Sequence, residues 1–409
     1  MNSARRKRDD QITERVSEII AAVRTEGDKA LLGYTESFDK VRLTPKKMRI
    51  TREEISASAK RISPELKEAV LAAADRITAY HKKQIRSGFS MATEEGTLEQ
   101  LIIPLRRVGL YVPGGHTVYP STVLMDAIPA KLAGVREIVA ITPPRAELDP
   151  GIAFALKHLG ITEVYRVAGA QGVAALALGT ATIPAVDKIT GPGNAYVQTA
   201  KRLLFGTVDI DTVAGPSEVV IIADSSVRAE WVALDLLAQA EHGSGDEIAI
   251  CITEDKSSAQ SIAEALKREI ALSPVREVIE KLPVYGIVII VTSSRRESID
   301  LANSIAPEHL QIMTRTARRD LKAVTSAAAV FLGPYTPVAL GDYYIGTNHV
   351  LPTGGAARFA SPLGVDSFVK RISVAQATPL GLDLAAPYVS TFARAESFIH
   401  HALSVERRC

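Results

Sequence analysis

Apolar residues at helical spacing run through residues 11–24 and 65–82 with charged faces between them, so the first hundred residues are predicted to be mainly helical. From Arg107 the pattern changes. Short apolar runs at residues 108–112, 137–142, 163–167 and 187–190 have the length of strands, and residues 121–133, 150–159, 171–178 and 194–205 between them read as helices. Strand and helix in strict alternation imply a parallel sheet covered on both faces. A second series starts at Glu218, with strand-like runs at 219–223, 248–252, 287–291, 310–313 and 329–332 and helical stretches such as 228–241 and 257–270.

Two such series predict an α/β fold of two doubly wound, Rossmann-like parallel-sheet domains, with a helical N-terminal segment and a small C-terminal helical tail domain. The expected layout is a helical region over 1–105, a first α/β domain over 106–217, a second over 218–355 and a tail over 356–409. Having no sheet of their own, the early helices are expected to pack on the second domain and make it discontinuous. The tail, loop-rich after Gly346 and helical from Leu382, is long enough to reach a neighbouring subunit.

Composition narrows the function. The 409 residues are 46% hydrophobic and 23% charged, with a net charge of +2, which suits a folded protein and gives no field strong enough to argue for nucleic acid. Arg5, Arg6, Lys7 and Arg8 are followed at once by Asp9 and Asp10, the pattern of a solvated helix start rather than of a targeting signal. No run approaches the roughly 18 apolar residues of a membrane span. The two cysteines, Cys251 and Cys409, fit a reducing compartment, so a cytoplasmic protein with a small-molecule substrate is expected, and any metal must use nitrogen and oxygen ligands.

Glycine loops fall at successive strand ends. Tyr111-Val-Pro-Gly-Gly115, Ala168-Gly-Ala-Gln-Gly172 and Gly191-Pro-Gly-Asn194 each place glycine before a helix, where free N–H groups and the helix dipole favour a phosphate. None is a complete G-x-G-x-x-G fingerprint, but three together favour a dinucleotide.

Among the eight histidines, His81 and His158 read as surface or packing residues, and His116, after Gly114-Gly115, is ambiguous. Gln239 and His242 are three apart at a helix end and project to one face, where a metal could be gripped. Glu308 and His309 put two titratable groups at a loop-to-strand junction, able to act in different proton transfers. Asp342 and His349 lie in a glycine-punctuated connection. His400 and His401 stand about 100° apart on the last helix, and spacing does not choose between them. Two His, one Asp and one Gln would give zinc an all-nitrogen-and-oxygen shell.

These residues and the words around them resemble the histidinol dehydrogenase family over nearly the whole chain. The matching words include Gly109-Leu-Tyr-Val-Pro-Gly-Gly115, Gly191-Pro-Gly-Asn194, Ala214-Gly-Pro-Ser-Glu218, Gln239-Ala-Glu-His-Gly243, Pro307-Glu-His-Leu310, Gly341-Asp-Tyr343, Asn348-His-Val-Leu-Pro-Thr353 and Phe368-Val-Lys-Arg371. The resemblance implies zinc ligands Gln239, His242, Asp342 and His401, substrate contacts from these and from Ser217, His309, His349 and Glu396, NAD contacts at Tyr111, Gln171 and Asn194, and an acid–base pair of Glu308 and His309. It also implies oxidation of histidinol through a bound aldehyde to histidine with two NAD, on a homodimer whose tails complete each other's sites. Ser397 stands where glycine commonly follows the glutamate, and Tyr344-Ile345 replace smaller residues. Such departures leave open a relative acting on another small polar alcohol, such as a sulfonate diol.

Overall fold

The structure, a computed structural model, describes residues 3–114, 118–243 and 245–409, with side chains from Arg8 onward; His116 lies outside them. The N-terminal region contributes β1 (Arg49–Ile50), β2 (Phe89–Ala92) and β3 (Gly96–Pro104). The first parallel series follows as β4 (Arg107–Tyr111), β5 (Glu137–Ile141), β6 (Glu163–Tyr165), β7 (Lys188–Thr190) and β8 (Asp209–Ile210). The second is β9 (Glu218–Ala223), β10 (Ile248–Thr253), β11 (Ile287–Val291), β12 (His309–Met313) and β13 (Ala329–Leu332), and β14 (Val369–Ala377) closes the set.

Both parallel sheets share one winding. The first has the order β1-β6-β5-β4-β7-β8 and the second β11-β10-β9-β12-β13. In each, the series starts in the middle, runs outward to its third strand, then crosses to the other side for its fourth and fifth. That reversal opens a crevice beside the first strand of each sheet, where doubly wound folds hold ligands. The predicted α/β class and its two doubly wound sheets are therefore present.

The early helices pack on the first sheet, not the second. Ile12, Val16, Ile19, Val23 and Leu31 share one core with Val139, Ile141 and Val173, while Ile55, Val70 and Ile77 share another with Val108, Leu124 and Ile152. The cause is legible in the helices beneath them. Every residue from Thr122 to Ala130 in the helix Pro120–Ala133 is buried, as is every residue from Ala170 to Ala177 in Gly169–Leu178. Helices apolar all round need a second covering layer, which the N-terminal helices supply. In the second domain the helix Lys256–Leu272 buries only Ile262, Ala265 and Leu266 and leaves its outer face to water.

A third, antiparallel sheet, β14-β3-β2, was not foreseen. β3 and β14 pair over nine residues, from Val369 opposite Pro104 to Ala377 opposite Gly96. Most of β14 and all of β2 is exposed, so burial imposes no alternation that the sequence could display. Phe89, Met91, Leu98, Leu101 and Ile372 are correspondingly exposed on it.

Candidate active site

The carboxyl ends of β4 and β7 in the first sheet face the amino ends of β9 and β12 in the second, across a cleft of about 360 Å³. Its lining includes Asn194, Ser217, His242, Glu308, His309, Asp342 and His349. The cleft thus lies at strand carboxyl ends in the first sheet but at strand amino ends in the second.

Parallel pairing of β9 with β12 sets His309 beside Val219, which brings the backbone of Glu218 level with both Glu308 and His309. The Glu218 N–H donates to Glu308 Oε2 at 3.0 Å, and its carbonyl lies 3.3 Å from His309 Nδ1. A carbonyl can only accept, so Nδ1 carries the proton and Nε2 keeps its lone pair. That Nε2 is buried without a hydrogen-bond partner among the described residues, 3.9 Å from Asp342 Oδ1. Burial holds His309 neutral, depressing its pKa to about 3, with smaller contributions from His242 and His349. Burial drives Glu308 the other way, up to about 8, helped by the charges of Asp342 and Glu218 and opposed by the Glu218 N–H and the Ser217 side chain. Two adjacent groups with pKa values pushed apart can take separate roles in proton transfer.

Gln239 lies in the last turn of the helix Ala229–Ala240 and His242 in the turn just beyond it, and Asp342 and His349 come from the segment after β13. His242 Nδ1 lies 3.0 Å from the Gln239 carbonyl and His349 Nδ1 3.1 Å from that of Asp342, so Nδ1 is the donor in each ring and Nε2 is the nitrogen left for a metal or substrate. The Gln239 amide is buried with Nε2 unpartnered, and burial raises the Asp342 carboxyl to about 6. A free imidazole nitrogen and a desolvated carboxylate are what a borderline cation such as zinc would satisfy, and the Gln239 amide would join them through its oxygen once a half-turn of the amide exchanges Oε1 with the unpartnered Nε2. Among the described residues, no three His, Cys, Asp or Glu side chains of this chain close around an ion by themselves.

The cofactor candidates border the first sheet. Tyr111 is buried, its hydroxyl accepting from the Gly169 N–H at 3.2 Å and pushed up to about 12 by desolvation. Gln171 is buried in the helix Gly169–Leu178, and neither residue lines the cleft itself. Asn194 does, and caps the helix Ala195–Leu204 through bonds from Tyr196 and Val197. Gly191 has φ +113, and a Cβ there would lie 2.2 Å from the Tyr111 carbonyl oxygen, so this wall tolerates no side chain.

Glu396 and His401 are not brought to the cleft. Both are exposed on the tail, where the His401 ring stacks on Phe398 at 5.0 Å. Other polar residues do line it. Lys201 forms a buried ion pair with Asp211 and donates to the Gly191 carbonyl at 3.0 Å, and Glu247 is buried just before β10. Lys201 was detectable, since it occupies the apolar stripe of Val197, Ala200 and Leu204.

Residues 2–409 match the family model described as histidinol dehydrogenase. The chain is 48% identical to the histidinol dehydrogenase of Moorella thermoacetica, over 97% of this chain and 94% of that protein, and 43% identical to that of Aquifex aeolicus, over 98% and 93%. The crystal structure of histidinol dehydrogenase from Elizabethkingia anophelis superposes with a TM-score of 0.91 at 36% identity, covering 97% of this chain and 91% of that one.

Proposed function

The chain belongs to the histidinol dehydrogenase family, and on that premise we propose that it oxidises L-histidinol to L-histidine in two steps, using zinc and two NAD, as a cytoplasmic homodimer. The observation that carries this reading is the Glu308–His309 pair, adjacent in sequence, held by one backbone residue and biased to opposite protonation behaviour.

Zinc, when bound, supplies an anchor for substrate nitrogen atoms, and NAD supplies the hydride acceptor. Gln239, His242 and Asp342 would hold the ion from one subunit, with His401 of the tail as the fourth ligand. In the first step His309 Nε2 accepts the hydroxyl proton of the alcohol as its carbon gives up hydride. In the second, Glu308 as carboxylate takes a proton from the water that adds to the aldehyde, and the hydrated carbon gives up a second hydride. Each step converts one NAD to NADH; the first releases one proton and the second two, one from the adding water and one as the new carboxyl ionises. Ser217, His349 and Glu396 would contact the substrate, with Tyr111, Gln171 and Asn194 on the cofactor side.

Exposed apolar surface supports a shared site. Leu380, Leu384, Tyr388 and Phe392 recur every fourth residue along the helix Pro379–Ala395, all exposed, next to Phe398 and Ile399. A stripe of this kind marks a surface that buries against another chain, and it would carry Glu396 and His401 to the neighbour's cleft.

The substrate is tested by comparing kcat/KM for histidinol with that for a sulfonate diol, with zinc and NAD present. A higher value for histidinol is expected, and preference for the diol would reassign the chain within its superfamily.

A further inference from the structure

We propose that the Glu218 carboxylate is a positioning group for the reaction, clamping the loop of residues 351–355 onto the strand start that sets Glu308 and His309. This rests on the acid–base roles given above to that pair. Glu218 as a whole is 8% exposed, and a buried charge is costly unless its lone pairs are matched. Its matches are the backbone N–H groups of Gly354 and Gly355 and the charge of Arg358. Both glycines are left-handed, at φ +63 and +77, and successive N–H groups in such a turn converge on an anion. Arg358 is itself held by the carbonyls of Gly355 and Ser304.

A second tie runs alongside, from the Gly215 N–H to Thr353 Oγ1. The segment 215–218 and the loop 351–355 are thereby joined at two points, and Val350, Leu351 and Thr353 of the joined unit wall the cleft. Glu218 differs from an ordinary structural carboxylate because its own N–H and carbonyl hold Glu308 and His309. A displacement of this one residue moves both reacting groups against the substrate wall. It leaves the cofactor side, Gly191–Asn194 on the other sheet, in place.

The test is steady-state kinetics of Glu218→Ala, Glu218→Gln and Thr353→Val beside the wild type, with zinc content and thermal midpoint recorded. Glu218→Ala should lose about 10²-fold in kcat, the scale of an ångström of misplacement, with KM for NAD within about twofold and zinc retained. Glu218→Gln keeps an acceptor for the Gly354 N–H and should recover most of that loss. If Glu218→Ala does not fold, Thr353→Val reads the other tie and should show a smaller loss of the same form. Full kcat in Glu218→Ala, equal damage in Glu218→Gln, or an unchanged kcat in Thr353→Val where Glu218→Ala is unfolded would each overturn the clamp. A wild type that does not oxidise histidinol would instead overturn the reading on which the clamp rests.

Discussion

His309 and Asp342, carried on a strand and on a short helix beyond the next strand, approach to 3.9 Å between Nε2 and Oδ1 across the floor of the cleft. The proposed base and a proposed zinc ligand therefore share one desolvated space, in which a proton taken up by His309 would meet the Asp342 carboxylate with little screening. Proton transfer and metal binding are coupled by that proximity, and the two can be separated only by variants that keep shape.

Glu308→Gln and His309→Asn are such variants. Each should lower turnover by about 10²- to 10⁴-fold while zinc content stays at the wild-type value. The two should differ in single turnover. His309→Asn slows the first NADH, whereas Glu308→Gln forms the first and stalls before the second, as rapid mixing with histidinol and NAD would register. Identical time courses would remove the division of labour.

Glu308 also sets a pH dependence. Its carboxyl is raised from the ordinary value of 4.5 to about 8, chiefly by burial and then by the Asp342 and Glu218 charges. The active form is the carboxylate, so the second step should be present above about pH 8 and fade as pH falls through it. Zinc held by Asp342 offsets one of those charges and should move the midpoint down, which carboxyl titration by infrared or NMR spectroscopy would follow. Between the two values the native state binds the proton that the unfolded chain has released, so metal-free stability should fall as pH rises across that window. Glu308→Gln should flatten this slope.

Ser397 has φ +65, following the helix Pro379–Ala395. The Phe398 N–H reaches the Ala393 carbonyl at 2.7 Å and the Ser397 N–H that of Arg394 at 3.0 Å, the paired bonds of a Schellman ending that favours glycine at this position. Ser397→Gly should therefore stabilise the protein by about 1 kcal/mol, seen as a higher thermal midpoint with activity kept. A lower midpoint would mean that the serine makes a compensating contact in the assembly.

Tail exchange can be read by complementation. His309→Asn and His401→Ala subunits, each inactive alone, should regain about a quarter of wild-type sites when mixed and reassembled at equal amounts, because half of the dimers are mixed and each holds one intact site. No recovery on verified mixing would place His401 in the site of its own chain, or in none.

The sequence disclosed those features that burial or chemistry imposes locally. The runs 219–223 and 310–313 became β9 and most of β12 because strands covered on both faces must be apolar throughout. Glu308 and His309 stood out as charged groups beside such a run. β14 stayed invisible because it is nearly all exposed, and the destination of the early helices was misjudged because it depends on the helices beneath them. The burial of the Glu218 side chain was also hidden, since its partners Gly354 and Gly355 lie 136 residues away and more. The roles proposed for Glu396 and His401 require a neighbouring subunit, because both side chains lie exposed on the tail and away from the cleft.

The most direct measurement is the number of NADH formed per histidinol consumed by the purified protein with zinc and excess NAD, with an aldehyde trap in the solution. Two NADH per histidinol, one histidine formed and nothing in the trap are expected. One NADH with aldehyde captured, or no turnover of histidinol at all, would contradict the central claim.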